Sequence, residues 1–90
     1  MLASDFIIGI HYDGLNWTGS TMTVVGSNCS GGWLNVSDAW NNRIRSTQNG
    51  CYRIRHFDGY NLTGSFEATF SPGANLTFMD RNTSSIQYLS

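Results

Sequence analysis

The 90-residue chain has no lysine, one proline (Pro72), two cysteines and no apolar run approaching 18 residues. Each shortage excludes something. Five arginines stand against six acidic residues for a net charge of −1, a balance that argues against a basic face gripping nucleic acid or anionic lipid. Without a long apolar run there is no helical membrane span. The opening Met1-Leu2-Ala3-Ser4 is too short for a signal peptide and lacks its basic start, so Met1 reads as a native start or as following a removed leader. No long window carries the apolar period of an amphipathic helix.

Two cysteines without a CxxC spacing or a neighbouring histidine cannot make a structural zinc site. In a small chain rich in Ser, Thr and Asn, an even count suggests one disulfide, Cys29–Cys51, in an oxidising compartment, hence secretion. Two buried free thiols are the alternative. A bridge closing about twenty residues would stabilise by roughly 3 kcal/mol on the chain-entropy account. What is present is a core: 40% hydrophobic residues, with twelve aromatics spread along the chain. That is enough for one packed domain over residues 1–90 and not a disorder signature.

An internal repeat sets the expected fold. His11-Tyr12-Asp13-Gly14-Leu15-Asn16-Trp17-Thr18-Gly19-Ser20 recurs as His56-Phe57-Asp58-Gly59-Tyr60-Asn61-Leu62-Thr63-Gly64-Ser65, identical at seven of ten positions. Before it runs an alternating segment with Phe6, Ile8, Ile10 and Tyr12 on one side. Asp-Gly, Asn16 and Asn61 accept left-handed backbone angles cheaply, and Gly19 and Gly64 supply a second unusual conformation. The unit reads as strand, folded-over hairpin, strand. A second shared element follows each hairpin: Trp40-Asn41-Asn42-Arg43-Ile44-Arg45-Ser46-Thr47, and Met79-Asp80-Arg81-Asn82-Thr83-Ser84-Ser85-Ile86. The first half is longer by an inserted loop at Gly26–Gly31. Strands are expected over 5–12, 20–25, 33–36 and 44–48, and again over 51–57, 65–70, 75–78 and 84–89. Two Greek keys, about 5–49 and 50–90, pack as an all-β sandwich of two four-stranded units.

Aromatic-Asp-Gly-x-Asn, then Gly, then an Asn/Asp-rich segment ending in serine, all of it twice, resembles the βγ-crystallin motif pair over residues 6–88. Cys51 through Gly64 looks most like the microbial branch, which includes metalloproteinase-inhibitor-like and killer-toxin-like proteins beside calcium-binding modules. The resemblance implies two calcium sites, each formed where one half's loop meets the other half's hairpin. The fifth residue of the Asn/Asp-rich segment gives a hydroxyl, and backbone carbonyls give more. Calcium takes six to eight oxygens, so such a cage is chemically sensible. Ser84 stands at the fifth position of the second segment and Asp80 at its first. Arg45 stands at the fifth position of the first segment, where a guanidinium offers no oxygen and brings positive charge. Arg81 stands at position two of the second. One disabled site and one weak site are therefore expected, the weak one using Ser84 and Asp80 with carbonyls near Arg43 and Asp13. The competing reading is structural: Ser46 and Ser85 pin the hairpins, and Asn16, Asn61, Gly19 and Gly64 are turn chemistry, with Asn41 and Asn42 capping a loop.

Other constellations are weaker. His11 and His56 each precede an aspartate by two residues, a spacing compatible with metal or acid–base chemistry, though duplication of a hairpin explains it more cheaply. No nucleophile triad or phosphate-cradling loop stands out, so an enzyme is not expected. Six N-x-S/T sequons, at Asn16, Asn28, Asn35, Asn61, Asn75 and Asn82, fit a Ser/Thr/Asn-rich bacterial composition better than glycosylation, because a glycan on Asn16 or Asn61 would compete with the hairpin fold. Trp17, Trp33 and Trp40 read as core more than as a recognition patch, and the loop tethered by Cys29 as the partner-facing feature. The function expected is a secreted, non-enzymatic binding or structural module, monomeric or weakly dimeric, with weak calcium affinity. Inhibition of a secreted metalloproteinase, or a killer-type toxin acting on a cell-surface target, are the alternatives.

Overall fold

The computed structural model describes residues 6–90. The opening Met1–Ser4 and the first residue of the expected strand 5–12 lie outside those residues. Eight strands follow in order: β1 Phe6–Tyr12, β2 Thr21–Gly26, β3 Ser30–Asn35, β4 Ser46–Asn49, β5 Arg53–Phe57, β6 Phe66–Phe70, β7 Gly73–Asn75 and β8 Ser85–Leu89. All pairings are antiparallel, in two four-stranded sheets ordered β2-β1-β4-β7 and β3-β8-β5-β6.

The sandwich is as expected, but neither sheet is one repeat. Each half keeps its first, second and fourth strands together and gives its third strand to the other half's sheet. Neither half can therefore bury its apolar face alone. The core that results holds Ile8, Val36, Ile44, Cys51, Ile54, Leu76, Met79, Ile86 and Tyr88, with Met22, Val24, Cys29, Leu34 and Trp40 packed against it. Cys29 and Cys51 are bonded, with Cα atoms 5.7 Å apart, tying the β2–β3 connection to the β4–β5 connection.

The repeat superimposes in backbone terms. Asn16 and Trp17 have φ of 58° and 60°, and Asn61 and Leu62 have 59° and 57°; Gly19 and Gly64 stand at 86° and 82°. The left-handed pair is thus Asn plus the next residue, and the Asp-Gly step does other work. Asp13 and Asp58 accept hydrogen bonds from the amides of Ser20 (2.8 Å) and Ser65 (3.0 Å), closing each hairpin base. Gly14 and Gly59 are required for space, because a Cβ there would lie 2.7 and 2.8 Å from the carbonyls of Thr18 and Thr63.

Three details depart from the expected pattern. A bulge between Ile7 and Gly9 breaks the two-residue period of β1. It turns Ile8 and His11 inward and leaves Ile10 and Tyr12 on the outer face, where the Tyr12 hydroxyl reaches Gln48 Oε1 at 3.2 Å. Strand β7 ends at Asn75 instead of running over 75–78. The Glu67 carboxylate accepts from the amides of Thr77 and Met79 at 2.9 and 3.2 Å and curls that stretch into a turn. Finally, Ser30–Gly32 belong to β3 and pair across another bulge with β8. Only Ser27–Cys29 remain as connection, so no long loop projects there.

Candidate calcium site

The two Asn/Asp-rich segments meet each other and the hairpins by a doubled set of backbone bonds. Asn42 N–H donates to Thr83 O (3.2 Å) and Arg81 N–H to Ile44 O (2.9 Å); Arg45 N–H donates to Tyr12 O and Ser84 N–H to Phe57 O, both at 2.8 Å. Asn42 and Arg81, at position two of each segment, share left-handed φ values of 62° and 60°. Two equivalent corners result. The first gathers Asp13, Arg43, Arg45 and Asp80; the second gathers Asp58, Asn82, Ser84 and Asn41.

At each corner the fifth residue of one segment reaches the first residue of the other. Ser84 Oγ donates to Asn41 Oδ1 at 2.7 Å. At the other corner Arg45 makes a two-pronged contact with Asp80, at 2.9 and 3.2 Å. Arg43, at position three, pairs with Asp13 at 2.7 Å and stacks its guanidinium 4.7 Å over the Trp40 ring. The Arg43 hydrogen bond, followed by the Ser20 amide, holds the Asp13 carboxyl below its usual range; the Asp80 hydrogen bond raises Arg45 further. This corner carries two carboxylates and two guanidinium groups of its own.

The second corner has the same backbone and different charges. Asn82 replaces Arg43 and Ser84 replaces Arg45, so among the described residues Asp58 makes no ion pair. Asp58 borders a cavity of about 530 Å³ lined also by Asn42, Ser65, Phe78, Met79 and Asn82. Its donors are a carboxylate, amide carbonyls and hydroxyls, the set a hard cation takes. Among the described residues no cluster of three His, Cys, Asp or Glu side chains exists, so a softer transition metal finds no comparable set.

The residues named from sequence are therefore divided. Asp13, Arg43 and Asp80 belong by their side chains to the first corner, and Ser84 to the second; no hydrogen bond or ion pair among the described residues joins Ser84 to those three. Asp58 is the hairpin aspartate that belongs with Ser84. Backbone contact between Ser84 and Phe57, the residue before Asp58, is what the sequence could not display.

Other expectations resolve at the hairpins. Ser46 Oγ donates to Gly14 O (2.6 Å) and accepts from Trp17 N–H (3.1 Å); Ser85 Oγ does the same with Gly59 O (2.6 Å) and Leu62 N–H (3.0 Å). Sequence reasoning missed two reciprocal amide clasps. Asn75 Oδ1 accepts from Asn16 N–H (2.8 Å) while Asn75 Nδ2 donates to Asn16 Oδ1 (3.0 Å); Asn35 and Asn61 repeat this at 2.7 and 3.0 Å. Each clasp ties a hairpin to the third strand received from the other half. Four of the six sequon asparagines are engaged in these clasps, while Asn28 Oδ1 accepts from Ser30 N–H (3.0 Å) and Asn82 Nδ2 donates to Phe78 O (3.1 Å).

The two histidines turn away from their aspartates. Strand β1 ends at Tyr12 and β5 at Phe57, so Asp13 and Asp58 are already in the hairpins while His11 and His56 point into the core, both 0% exposed. Their rings meet edge-to-face with centroids 5.7 Å apart. His11 bonds Tyr88 Oη (2.8 Å) and Thr47 Oγ1 (3.0 Å); His56 Nε2 bonds Thr69 Oγ1 (3.1 Å), and its Nδ1 has no partner. Burial lowers His11 to about 3 and takes His56 well below its ordinary value, helped by His11 beside it; burial also raises Tyr88.

Two Greek keys that exchange third strands and meet at two equivalent corners define a two-motif sandwich. That is the fold of a βγ-crystallin domain, and solved structures of that class superimpose on the chain. The N-terminal domain of Protein S matches with a TM-score of 0.72 at 15% identity, over 92% of this chain and 96% of that one. A variant βγ-crystallin domain from Clostridium beijerinckii matches at 0.72 and 16% identity, over 90% and 96%. A βγ-crystallin domain of Abundant Perithecial Protein from Neurospora crassa, solved in a Ca2+-bound form, matches at 0.69 and 20% identity, over 99% and 94%. No protein-family profile and no curated protein matches the sequence.

Proposed function

We propose that this is a secreted βγ-crystallin-type binding module that takes one calcium ion, weakly, at the second corner. The carrying observation is the contrast between two equivalent corners. In the first, Arg43 and Arg45 neutralise Asp13 and Asp80. In the second, Asp58 has no ion-pair partner among the described residues and borders a cavity to which Asn42, Ser65 and Asn82 bring oxygens beside Phe78 and Met79. Asp58, Ser84, Asn41 and Asn82 would hold the ion, which would supply charge neutralisation and a cross-link between the two halves. A single carboxylate makes the affinity modest, because carboxylate count is a main determinant of calcium binding. The Ca2+-bound state of the Neurospora domain supports the reading, and the Cys29–Cys51 bond supports an oxidising, extracellular setting.

Calorimetric titration tests it. Millimolar calcium is expected to raise the melting temperature of the wild type and to leave Ser84→Ala and Asp58→Asn unmoved, while Asp13→Asn keeps the shift. Equal shifts in all four proteins, or none in the wild type, would remove the site.

A further inference from the structure

We infer that the outer face of the β3-β8-β5-β6 sheet is a docking surface for an anionic lipid membrane. This is independent of the calcium reading. In an antiparallel ladder, residues opposite one another point to the same side. Ile54 and His56 of β5 are buried, so Arg53 and Arg55 point outward. Their partners on β6 are Phe70 and Ala68, and Phe66 follows two residues from Ala68 on the same side. Trp33 on β3 stands opposite Gln87, itself opposite Arg55, so it shares this face.

The face gathers large apolar rings at the surface: Trp33 is 51% exposed, Phe66 45%, Phe70 47%, and Tyr52, packed edge-on against Phe70, 63%. Two cations stand among them. The Arg55 guanidinium lies 5.2 Å over the Phe66 ring. Among the described residues neither Arg53 nor Arg55 makes an ion pair, and Arg53 Nε is buried without a hydrogen-bond partner there. The only acidic residue on these four strands is Glu67, which faces the other way and is engaged by the amides of Thr77 and Met79. Whole-chain charge argued against a basic face, but placement decides: the first corner uses two arginines internally, while Arg53 and Arg55 are left together on one surface.

Charge complementarity selects the occupant. A second copy stacked on this face would bring four guanidinium groups together with no acid between them. A nucleic acid strand needs more than two cations to hold it. Protein hot spots seat side chains in pockets, whereas of this face's exposed rings and cations only Trp33, at its β3 edge, borders a cavity, one of about 280 Å³; Phe66, Phe70, Tyr52, Arg53 and Arg55 border none of those of about 530, 280, 360 and 210 Å³. A lipid headgroup layer requires no shape complement. It accepts aromatic rings at the interface and offers phosphates to arginine.

Vesicles of phosphatidylcholine, with and without about one-third phosphatidylglycerol, test this by co-sedimentation in EDTA, which removes any calcium bridge. Binding is expected only to the anionic vesicles and is expected to weaken with salt. Arg53→Gln with Arg55→Gln should lower partitioning roughly tenfold or more, at about a few-fold per arginine, with circular dichroism reporting an intact fold. Phe70→Ser should reduce binding without touching a charge. Tryptophan emission should shift blue on binding in the wild type and not in Trp33→Phe, although Trp17 and Trp40 remain. No binding, binding equal on neutral vesicles, or binding insensitive to both the arginine and Phe70 changes overturns the inference. So does saturable binding to soluble polyglutamate, heparin or a single-stranded oligonucleotide in the absence of vesicle binding.

Discussion

Ser46 and Ser85 show how much one hydroxyl can hold in this fold. Each bonds a carbonyl and an amide of the hairpin folded over it, and each is fully buried. Removing the oxygen strands both hairpin groups away from water, which costs about 1–3 kcal/mol. Ser46→Ala and Ser85→Ala should each lower the unfolding free energy by about that amount in urea titration. A loss below about 0.5 kcal/mol in both, the range of an ordinary surface change, would show that the hydroxyls merely occupy space. These serines were legible because they end both segments. Asn35 and Asn75, which make the amide clasps, carried a signal too. They open the triplets Asn35-Val36-Ser37 and Asn75-Leu76-Thr77, a third repeated element in which Val36 and Leu76 both enter the core. The Asp58–Ser84 association had no such mark, since it depends on which hairpin each segment meets.

At the level of elements, the proposed ion chemistry lies in the segment between strands, and the repeat supplies its own control. Both corners have the same backbone bonds and the same left-handed residue at position two, so their differences reduce to side chains. Copying the second corner into the first, by Arg43→Asn with Arg45→Ser, reproduces Asn82 and Ser84 and frees Asp13 and Asp80. The double variant should bind calcium with a stoichiometry of two where the wild type binds one, and should melt lower than the wild type in EDTA, having lost both internal cations. An unchanged stoichiometry in a folded variant would mean that backbone differences, not the arginines, close the first corner. Arg45 could be placed from sequence at the fifth position of its segment, because the flanking serine fixes the register. That it closes on Asp80 could not be read there, because segment-to-segment contact is long-range. Strand limits failed for local reasons of the same kind. The bulge in β1 reversed which alternate residues are buried, and Glu67 ended β7 early by capturing amides ten and twelve residues away.

Across the whole molecule, strand exchange places equivalent residues of the repeats beside one another, and His11 and His56 are the pair that meets at the centre. The repeat told that they are equivalent; only the packing tells that they touch. Their surroundings come from both sheets: Thr47 of β4 and Tyr88 of β8 on His11, Thr69 of β6 on His56, with no carboxylate bonded to either. Both are held neutral, with folded-state values depressed below the unfolded 6.5. The unfolded chain therefore binds up to two more protons than the folded one once pH drops below that value, and stability falls with pH. For a histidine that stays neutral in the fold, the loss reaches about 2 kcal/mol by pH 5 relative to pH 8. Two of them remove about 4 kcal/mol, a large part of what a small domain has. The decline ends for His11 only near its folded value of about 3. Between pH 5 and 7 Asp13 contributes little, since its carboxyl is held below its ordinary range. Denaturant unfolding across this window should show a slope approaching two protons in the wild type and about one in His56→Leu, whatever that change does to stability at pH 8. Leucine suits the test because it removes the titrating ring and the unpartnered Nδ1 together, while Thr69 keeps its contact with Asn49. A two-proton slope surviving in His56→Leu would place the acid sensitivity elsewhere, and a flat profile in the wild type would mean that the paired rings accept protons inside the folded core.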